Sequence, residues 1–486
     1  ALLRTLMPMR VEEGTVYSDF HVAQHEQVPF VLTWFPSHEK PPRSVEAFTA
    51  LDETCAWWRQ WSERCVHEGP WREQVVRSLI TLKALTYSPT GGIVAAPTTS
   101  LPEQLGGVRN WDYRFCWLRD ATLALLALLD AGYTEEAQAW RDWLLRAVAG
   151  EPSELQIMYG VAGERRLREM EVPWLPGYEG SHPVRIGNGA VKQLQLDVPG
   201  ELLEAAWLYA RAGGPVTKAN WVFLSGLVEE VCRRWRLPDQ GLWEVRDAPR
   251  HYVHSKLLCW VALDRGLRLA RARGLPAPVA RWTRERAALR RYLLESAQGG
   301  WFPQARGVDA ADASTLLVPA LGFLPVAHPL VRRTVQVVRE RLESGGLLYR
   351  YHAPDGLSGG EGTFLLCSFW LVDVLAHAGE RYEAESLLHR LLGLANDVGL
   401  YAEEAVPGTG EALGNFPQAF THMALVSSCA QLSAVASVPW RPSPGRACDF
   451  AGFALEYLLA RRRGRDAGAP SLLSTAHLRT DGVAHD

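Results

Sequence analysis

The stretch Pro97–Asp120, PTTSLPEQLGGVRNWDYRFCWLRD, joins two long segments with helical periodicity and concentrates more aromatic and charged residues than any other part of the chain. Its second half alternates ring side chains with arginine, asparagine and aspartate. Aromatic faces stack on the C–H surfaces of sugars, and forked donors and carboxylates bind hydroxyl groups, so this composition suits a polar, ring-shaped ligand. A helix start whose aspartate lies in the first turn, with the aromatic residues simply buried, explains the same pattern equally well.

From Ser44 onward nearly every segment repeats its apolar residues with a period near 3.6, which predicts a largely helical chain. No period of 20–50 residues recurs, which argues against a solenoid. The segments LALLALLDAG and FLLCSFWLVDVLAHAG are apolar around most of their circumference and should pack on two sides, as in an inner ring. Long and short loops alternate, which predicts a helical barrel whose long loops build a site on one face. The predicted helices span residues 45–65, 71–86, 117–131, 135–149, 200–212, 218–235, 252–273, 278–297, 311–322, 329–343, 361–377, 382–395, 416–436 and 449–462.

The beginning of the chain has a different composition. The segments VYSDFHV and VPFVLTWF are short, β-branched and aromatic, which predicts strands. Two or three strands cannot close a core, so we interpret residues 1–43 as the end of an N-terminal β-domain followed by a linker, or as a β-flap. Residues 44–463 then form the helical domain, and residues 464–486 are predicted to be a disordered tail.

Composition narrows the class of protein. Hydrophobic residues make up 47% and charged residues 22% of the 486, as in ordinary globular proteins. A net charge of -3 gives no electrostatic signature for nucleic acid. The eight cysteines occur singly, which indicates neither a zinc site nor a disulfide framework and favours a cytoplasmic location. No apolar run approaches the ~18 residues that span a bilayer. We therefore expect no metal, cofactor, nucleic acid or membrane partner.

Two further long loops contain carboxylates in unusual settings. In GLWEVR, Glu244 directly follows Trp243, and an apolar wall there could raise the pKa of the glutamate enough for it to act as an acid. An ordinary surface ion pair with Arg246 is the alternative. In the second loop, Glu403 and Glu404 are adjacent, and such glutamates are usually just solvated.

The second loop leads into a helix that starts with unusual residues. Asn415, Gln418 and Phe420 lie near this start, and the two amides are awkward for a core unless they line a pocket. The three stretches together therefore predict one polar pocket built from loops that are distant in sequence.

Seven blocks, in the same order, resemble the signature blocks of glycoside hydrolase family 15, the glucoamylase-type family, in its bacterial and archaeal branch. The resemblance runs from about Val45 to Tyr457. It implies an all-α fold, a six-hairpin (α/α)6 toroid, preceded by a remnant of an N-terminal β-sandwich. The blocks are PTTSLPE at 97–103, RNWDYRFCWLRDA at 109–121, PVRIGNGAVKQLQLD at 183–197, GLWEVR at 241–246, HSKLLCWVALDRG at 254–266, EGTFLLCSFWLVD at 361–373 and GNFPQAFTH at 414–422.

Residue roles follow from the resemblance. The general acid falls on Glu244 and the general base on Glu403, with Glu404 as the rival for the base. Phe420 stands where fungal members have tryptophan, and a second fungal tryptophan has no clear counterpart near Val191, so the sugar platforms are altered. The implied substrate-binding residues are Tyr113, Trp117, Arg119, Asp120, Trp243, Arg350 and Phe420.

The implied activity is that of an exo-acting, inverting α-glucoside hydrolase that releases β-glucose from non-reducing ends. Inversion needs the two carboxyls roughly 6.5–9.5 Å apart, so that a water fits between one of them and the sugar. Maltooligosaccharides, as in glucoamylases, and trehalose, as in an α,α-trehalase, are both open as substrates, and the altered platforms favour small α-glucosides over starch. Two other classes remain: a non-catalytic toroid that binds a carbohydrate or a protein, and a phosphorolytic enzyme. The sequence predicts no oligomeric state.

Overall fold

The computed structural model describes residues 1–148 and 150–437. The predicted helix at 449–462 and the predicted tail at 464–486 lie outside these residues. The chain divides into two compact units, Ala1–Cys65 and a second that begins at Val66. The domain boundaries inferred from the sequence stay predictions.

The first unit contains two open antiparallel strand pairs and one helix. Strand β1 (Leu2–Arg4) pairs with β4 (Val31–Thr33), and β2 (Arg10–Glu12) pairs with β3 (Thr15–Tyr17). Helix α1 (Ala47–Glu63) follows. The predicted strand VYSDFHV is wrong beyond its first two residues, and only the middle of VPFVLTWF is a strand.

The side chains after β3 account for its early end. Ser18 donates a hydrogen bond to the carbonyl of Pro8, and Asp19 pairs with Arg10. Such bonds from short polar side chains compete with a continued ladder.

The second unit is helical. One of its helices, α9 (Leu317–Ala320), is short and directly follows a 3₁₀ turn, Ala313–Leu316. Within the described residues the helices are α2 (Arg72–Ala84), α3 (Asp120–Asp130), α4 (Thr134–Ala147), α5 (Val198–Arg211), α6 (Lys218–Arg234), α7 (Val253–Arg273), α8 (Val279–Ser296), α9 (Leu317–Ala320), α10 (Pro329–Leu342), α11 (Leu365–Ala378), α12 (Arg381–Leu392) and α13 (Ala419–Ser437).

Odd-numbered helices from α3 to α13 form an inner ring, and even-numbered helices from α2 to α12 pack outside it. Each inner helix contacts the next, with the 3₁₀ turn before α9 bridging α7 and α11, and α13 packs back against α3. The ring therefore closes, and the prediction of an (α/α)6 toroid is confirmed.

Burial follows the two rings. Helix α11 is buried at nearly every position from Leu365 to His377, as expected for a helix packed on two sides. Outer helix α10 instead buries one stripe and leaves its other positions half-buried or exposed; the buried residues are Val331, Thr334, Val337, Val338 and Leu342. The prediction that FLLCSFWLVDVLAHAG lies in an inner ring is therefore confirmed.

Long loops precede the inner helices and short turns follow them. Because each long loop enters the N-terminus of an inner helix, all of these loops lie at the same end of the ring, as the alternation of loop lengths predicts. The long loops span residues 85–119, 150–197, 235–252, 297–312, 343–364 and 393–418.

Short strands stiffen these loops. One strand pair and one three-stranded sheet join loop segments that are distant in sequence. Strand β9 (Cys116–Trp117) pairs with β10 (Met158–Tyr159), and β15 (Thr363–Phe364), β16 (Glu404–Ala405) and β17 (Ala412–Leu413) form an antiparallel sheet. These strands are β5 (Thr86–Tyr87), β6 (Gly92–Ile93), β7 (Thr99–Pro102), β8 (Asn110–Asp112), β9 (Cys116–Trp117), β10 (Met158–Tyr159), β11 (Met170–Glu171), β12 (Arg185–Ile186), β13 (Glu343–Ser344), β14 (Leu347–Leu348), β15 (Thr363–Phe364), β16 (Glu404–Ala405) and β17 (Ala412–Leu413).

Two features bear on the environment of the protein. Among residues 1–148 and 150–437, six cysteines carry free thiols: Cys55, Cys116, Cys232, Cys259, Cys367 and Cys429. Over the same residues, none of the helices combines the length and apolar character that crossing a membrane requires.

The inner ring is tightest where α5 meets α7. A Cβ added at Gly200 would lie 2.3 Å from the carbonyl oxygen of Leu258, so only glycine fits between these two backbones. We predict that Gly200→Ala lowers the free energy of unfolding by about 1–3 kcal/mol, the usual cost of overpacking. Denaturant unfolding of both proteins measures it. Gly393→Ala is the control, since a Cβ there has only ordinary contacts at 3.4 Å or more. Equal stability of the two variants would contradict the close approach.

Candidate active site

A pocket of about 690 Å³ opens among the long loops. All nine residues that the sequence predicts for the site line it. They come from four loops and from the first turns of α3 and α13, which lie far apart in sequence. The pocket is lined by Ala95, Glu103, Arg109, Trp111, Tyr113, Trp117, Arg119, Asp120, Asn188, Leu242, Trp243, Glu244, Arg246, Arg350, Tyr351, Asp355, Leu357, Phe364, Glu403, Gln418 and Phe420.

Glu244 projects from a tight turn before α7. Its backbone has φ of 57°, in the left-handed region that residues with a side chain rarely adopt. Strain of this kind persists where the surroundings fix the backbone, and it concentrates at functional sites. Here the amide of Gln193 fixes it by donating to the carbonyls of Glu244 and Val245, at 3.1 and 3.0 Å.

The carboxylate of Glu244 has polar partners rather than the apolar wall proposed from sequence. Its Oε1 accepts a 2.6 Å hydrogen bond from Trp117 Nε1 and lies 3.5 Å from Nη1 of Arg119. Arg246 does not form the surface pair with Glu244 that the alternative interpretation expects; it pairs with Glu169 at 3.0 Å.

Glu403 immediately precedes β16 and is fixed from two sides. Its carbonyl accepts a 3.1 Å hydrogen bond from the backbone N–H of Leu365, the first residue of α11. Gly414, with φ of 77°, lies beside its side chain, and a Cβ on Gly414 would approach Oε2 of Glu403 to 2.8 Å. A glycine at 414 therefore leaves the room that this carboxylate occupies.

The environment of Glu403 favours its neutral form. The residue is only 3% exposed, and burial raises its pKa above the ordinary value for a glutamate. The negative charge of Glu103 raises this pKa further, whereas Arg350 and the hydroxyl of Tyr113 lower it. A carboxylate with a raised pKa is a stronger base once it has lost its proton.

Two aromatic residues connect Glu403 to Glu244. Tyr113 donates a 2.7 Å hydrogen bond to Oε1 of Glu403, and Trp117 donates to Glu244. The rings of Tyr113 and Trp117 pack edge to face, with centroids 5.6 Å apart. Burial and the charge of Glu403 hold the pKa of Tyr113 well above its usual value, so the phenol stays a donor. The spacing of the two carboxylates is therefore set by one chain of contacts.

Arg119 and Asp120 lie where α3 begins. Arg119 donates to the carbonyl of Leu242 at 2.8 Å, and its guanidinium carbon lies 5.3 Å from the ring centroid of Phe420. Burial raises the pKa of Asp120 to about 7. Within the described part of the chain, Nε of Arg119, Oδ1 of Asp120 and Oε2 of Glu403 are buried and make no hydrogen bond. Buried polar atoms normally have partners, so these three suit the hydroxyls of a ligand.

Trp243 and Arg350 form a rigid wall. Trp243 Nε1 donates to both carboxylate oxygens of Asp312 at 3.0 Å, and its ring packs against Phe364. Arg350 donates to Glu361 and Glu103, at 2.6 and 3.1 Å, so these contacts occupy Nε and Nη2 of its guanidinium.

Other lining residues have no assigned role in the sequence-based site. Glu103 and Asp355 are buried carboxylates that bind arginines: Glu103 pairs with Arg350, and Asp355 forms a two-pronged pair with Arg109. The PTTSLPE and RNWDYRFCWLRDA blocks contain Glu103 and Arg109. No local sequence pattern indicates that Glu103 binds Arg350 or that Arg109 binds Asp355.

The structure separates the two polar residues expected to line the pocket near α13. Gln418 lines it. Asn415 instead donates to the carbonyl of Trp111 and accepts from Thr98, so it holds loops together.

Comparison with protein families identifies the chain. The profile described as Glycosyl hydrolases family 15 matches residues 69–430. The chain belongs to this family. The match covers the toroid from the first turn of its first outer helix to the last inner helix.

Curated relatives carry one name. The chain is 43% identical to a trehalase of Mycolicibacterium smegmatis over 88% of this chain and 65% of the relative. It is 45% identical to a trehalase of Mycobacterium tuberculosis, over 88% of this chain and 64% of the relative. A trehalase of Thermoplasma acidophilum is 36% identical over 87% of this chain and 73% of the relative. The chain thus spans just under two thirds of the length of its two mycobacterial relatives.

Solved structures share the fold. A bacterial glucoamylase complexed with acarbose superimposes with a TM-score of 0.62 at 13% identity, over 86% of this chain and 62% of the other. The glucoamylase from Saccharomycopsis fibuligera gives a TM-score of 0.57 at 15% identity, over 75% of this chain and 95% of the other. At these identities the likeness concerns the toroid alone.

The turn that carries Glu244 should depend on Gln193. We predict that Gln193→Ala speeds amide hydrogen exchange in residues 241–246 by about thirty-fold, because two hydrogen bonds worth about 1 kcal/mol each are lost. Hydrogen–deuterium exchange with mass spectrometry measures this. Lys192→Ala, at the exposed neighbouring position, is the control. Unchanged exchange in the Gln193 variant would show that other contacts hold the turn.

Proposed function

We propose that this protein hydrolyses α,α-trehalose with inversion at the attacked anomeric carbon, Glu244 acting as general acid and Glu403 as general base. The observation that carries the proposal is the linkage of these two carboxylates through Tyr113 and Trp117 inside one pocket. The names of the mycobacterial and Thermoplasma relatives support trehalose, and favour it over the maltooligosaccharides that the sequence also left open.

The proposed reaction needs one proton donor and one proton acceptor. Glu244 gives its proton to the oxygen that joins the two sugars, while Glu403 takes a proton from the attacking water. Oε2 of Glu403 is buried without a hydrogen bond and next to Gly414, so it is the atom assigned to that water. Oε1 stays bound to Tyr113, which fixes the direction of the carboxylate.

The sugar that is attacked would be held at the start of α3. Nε of Arg119 and Oδ1 of Asp120 offer a donor and an acceptor for neighbouring hydroxyls. A hydroxyl that binds both atoms would restore their hydrogen bonding, and binding to fixed, buried partners favours one orientation of the ring.

The leaving sugar would meet a different surface. Arg109, Trp111, Arg246 and Asp355 line the rest of the pocket. Trp111 has the guanidinium carbons of Arg185 and Arg246 at 4.7 and 5.2 Å from its ring. Charged groups and one arginine-packed indole suit a single, fully hydroxylated second glucose better than a long stacked chain.

The two proposed catalytic residues give a direct test. We expect Glu244→Gln and Glu403→Gln each to lower kcat on trehalose by about 10²–10⁴-fold, because each removes one half of the proton transfer. Circular dichroism and thermal melting should match the parent protein. Either variant keeping more than a tenth of the parent's kcat at every pH would remove that residue from its role.

Glu404→Gln is the matched control. Glu404 is fully buried, and burial together with the charges of Glu103 and Glu361 raises its pKa well above the ordinary value. A raised pKa favours the neutral form of the carboxyl group, which glutamine resembles in shape and hydrogen bonding. We expect this variant to lose much less activity than Glu403→Gln, and the opposite order would make Glu404 the base.

A substrate panel tests the specificity. We expect the highest kcat/KM on trehalose, and nearly constant kcat/KM on maltooligosaccharides beyond two or three glucoses, because the pocket offers few outer subsites to supply binding energy. Initial rates on trehalose, maltose, isomaltose, longer maltooligosaccharides and soluble starch measure this. A steep rise through five or six glucoses would favour a starch-degrading glucoamylase, and phosphate-dependent cleavage to glucose phosphate would favour a phosphorolytic enzyme. No cleavage of any sugar would favour the non-catalytic toroid.

The free thiols of Cys55, Cys116, Cys232, Cys259, Cys367 and Cys429 also support the predicted cytoplasmic location. This location and the absence of a nucleic-acid or membrane partner stay predictions.

A further inference from the structure

Next to Glu403 lies a cluster of buried carboxylates around a single guanidinium. Glu103, Glu361 and Glu404 each place one carboxylate oxygen within 4.8 Å of the others. Nη2 of Arg350 lies 3.1, 2.6 and 3.9 Å from oxygens of Glu103, Glu361 and Glu404, respectively. The cation at the centre of this cluster is therefore the guanidinium of Arg350, and we call the four residues the Arg350 cluster.

The Arg350 cluster contains three carboxyl groups and one guanidinium group. Arg109, the nearest second cation, is 3.4 Å from Glu361 but makes its shorter contacts with Asp355, at 2.6 and 3.1 Å. Glu103 is 1% exposed and Glu404 is fully buried. Unpaired negative charges are costly to bury, so part of this cluster must keep its protons near neutral pH.

Glu403 lies beside this cluster, and among residues 1–148 and 150–437 it forms no ion pair with an arginine or lysine. Tyr113 is its hydrogen-bond donor, and Arg350 is bound to Glu361 and Glu103 instead. The charged and titratable groups that act on Glu403 are Glu103, Arg350, Glu361, Glu404 and Tyr113.

We propose that Glu103 is a positioning residue: by binding Arg350 and adding its own negative charge, it deprives Glu403 of cationic stabilisation and sets the pH at which Glu403 becomes a base. This inference rests on the proposed role of Glu403. Glu103 comes from the loop before α3 and Glu403 from the loop before α13, so the closure of the ring brings the two groups together.

The charge of Glu103 depends on fixed partners. Trp111 Nε1 donates to its Oε1 at 3.0 Å, and Arg350 binds its Oε2. Both contacts favour the ionised form, whereas burial and the charge of Glu361 raise its pKa. Of the neighbouring charges that act on Glu403, Glu103 has the largest effect.

The test is the pH profile of kcat/KM on trehalose. Glu103→Gln removes the negative charge next to Glu403 and leaves Arg350 with Glu361 as its main carboxylate partner. We therefore expect the acidic limb to move to lower pH by on the order of one unit. The plateau should fall by up to about ten-fold, because a carboxylate with a lower pKa is a weaker base. Glu103→Asp keeps the charge and should keep the limb of the parent protein.

Glu285→Gln is the matched control. Glu285 lies on outer helix α8 and, like Glu103, accepts from an indole N–H and an arginine, at 3.0 Å from Trp235 and 2.9 Å from Arg236. Glu285→Gln also removes one negative charge that an indole and an arginine bind, but it does so away from the pocket. The acidic limb of the pH profile should therefore stay where it is in the parent protein.

Two outcomes would overturn the inference while leaving the proposed function intact. In the first, the acidic limb of Glu103→Gln does not move; in the second, the limb of Glu103→Asp or Glu285→Gln moves as far as that of Glu103→Gln. No hydrolysis of trehalose by the parent protein would instead overturn the proposed function. Should Glu103→Gln fail to melt cooperatively, Glu361→Gln carries the test, with a smaller shift in the same direction expected.

Discussion

Closure of the inner ring is the constraint on which the site depends. Tyr113 and Glu403 are 290 residues apart, yet they share a 2.7 Å hydrogen bond because the last inner helix packs against the first. The same closure lets Glu103 share Arg350 with Glu361, and lets Asn415 hold the loop of Trp111. Any change that opens the contact between α13 and α3 would therefore separate the two proposed catalytic carboxylates before it unfolded the outer helices.

The site gathers charge in a way that a core does not. The buried carboxylates of Glu103 and Glu404 share Arg350 as a cation, and the buried carboxylate of Glu403 lies beside them. Such groups have pKa values far from their ordinary ones, which is costly for stability and is characteristic of sites that move protons. Glu244 instead has a tryptophan N–H and an arginine as partners. The two proposed catalytic carboxylates thus lie in different electrostatic settings, as acid–base pairs require.

Much of this could be predicted from the sequence, for identifiable reasons. Apolar residues repeating with the helical period located every described α-helix. Seven of the nine pocket residues lie in the seven ordered blocks, and the family resemblance supplied Arg350 and Glu403 from segments outside them. Periodicity cannot locate pairing between distant loops, so the short strands that hold Glu403 and the pairing of Glu103 with Arg350 were not predictable. The left-handed backbone of Glu244 has no local signal either, since no glycine, asparagine or aspartate marks it. The strand predicted from VYSDFHV was too long because Ser18 and Asp19 bind the chain locally.

The most direct measurement follows the anomers released from trehalose. Both anomeric carbons of α,α-trehalose are α, so inversion at one carbon must release one β-glucose and one α-glucose per turnover, whereas retention would release α-glucose alone. Proton NMR of the earliest products, recorded before mutarotation, distinguishes the two. The account predicts equal initial amounts of α- and β-glucose with the parent protein, and neither product at a comparable rate with Glu403→Gln. Initial release of α-glucose alone would contradict the assignment of Glu244 and Glu403 as an inverting pair.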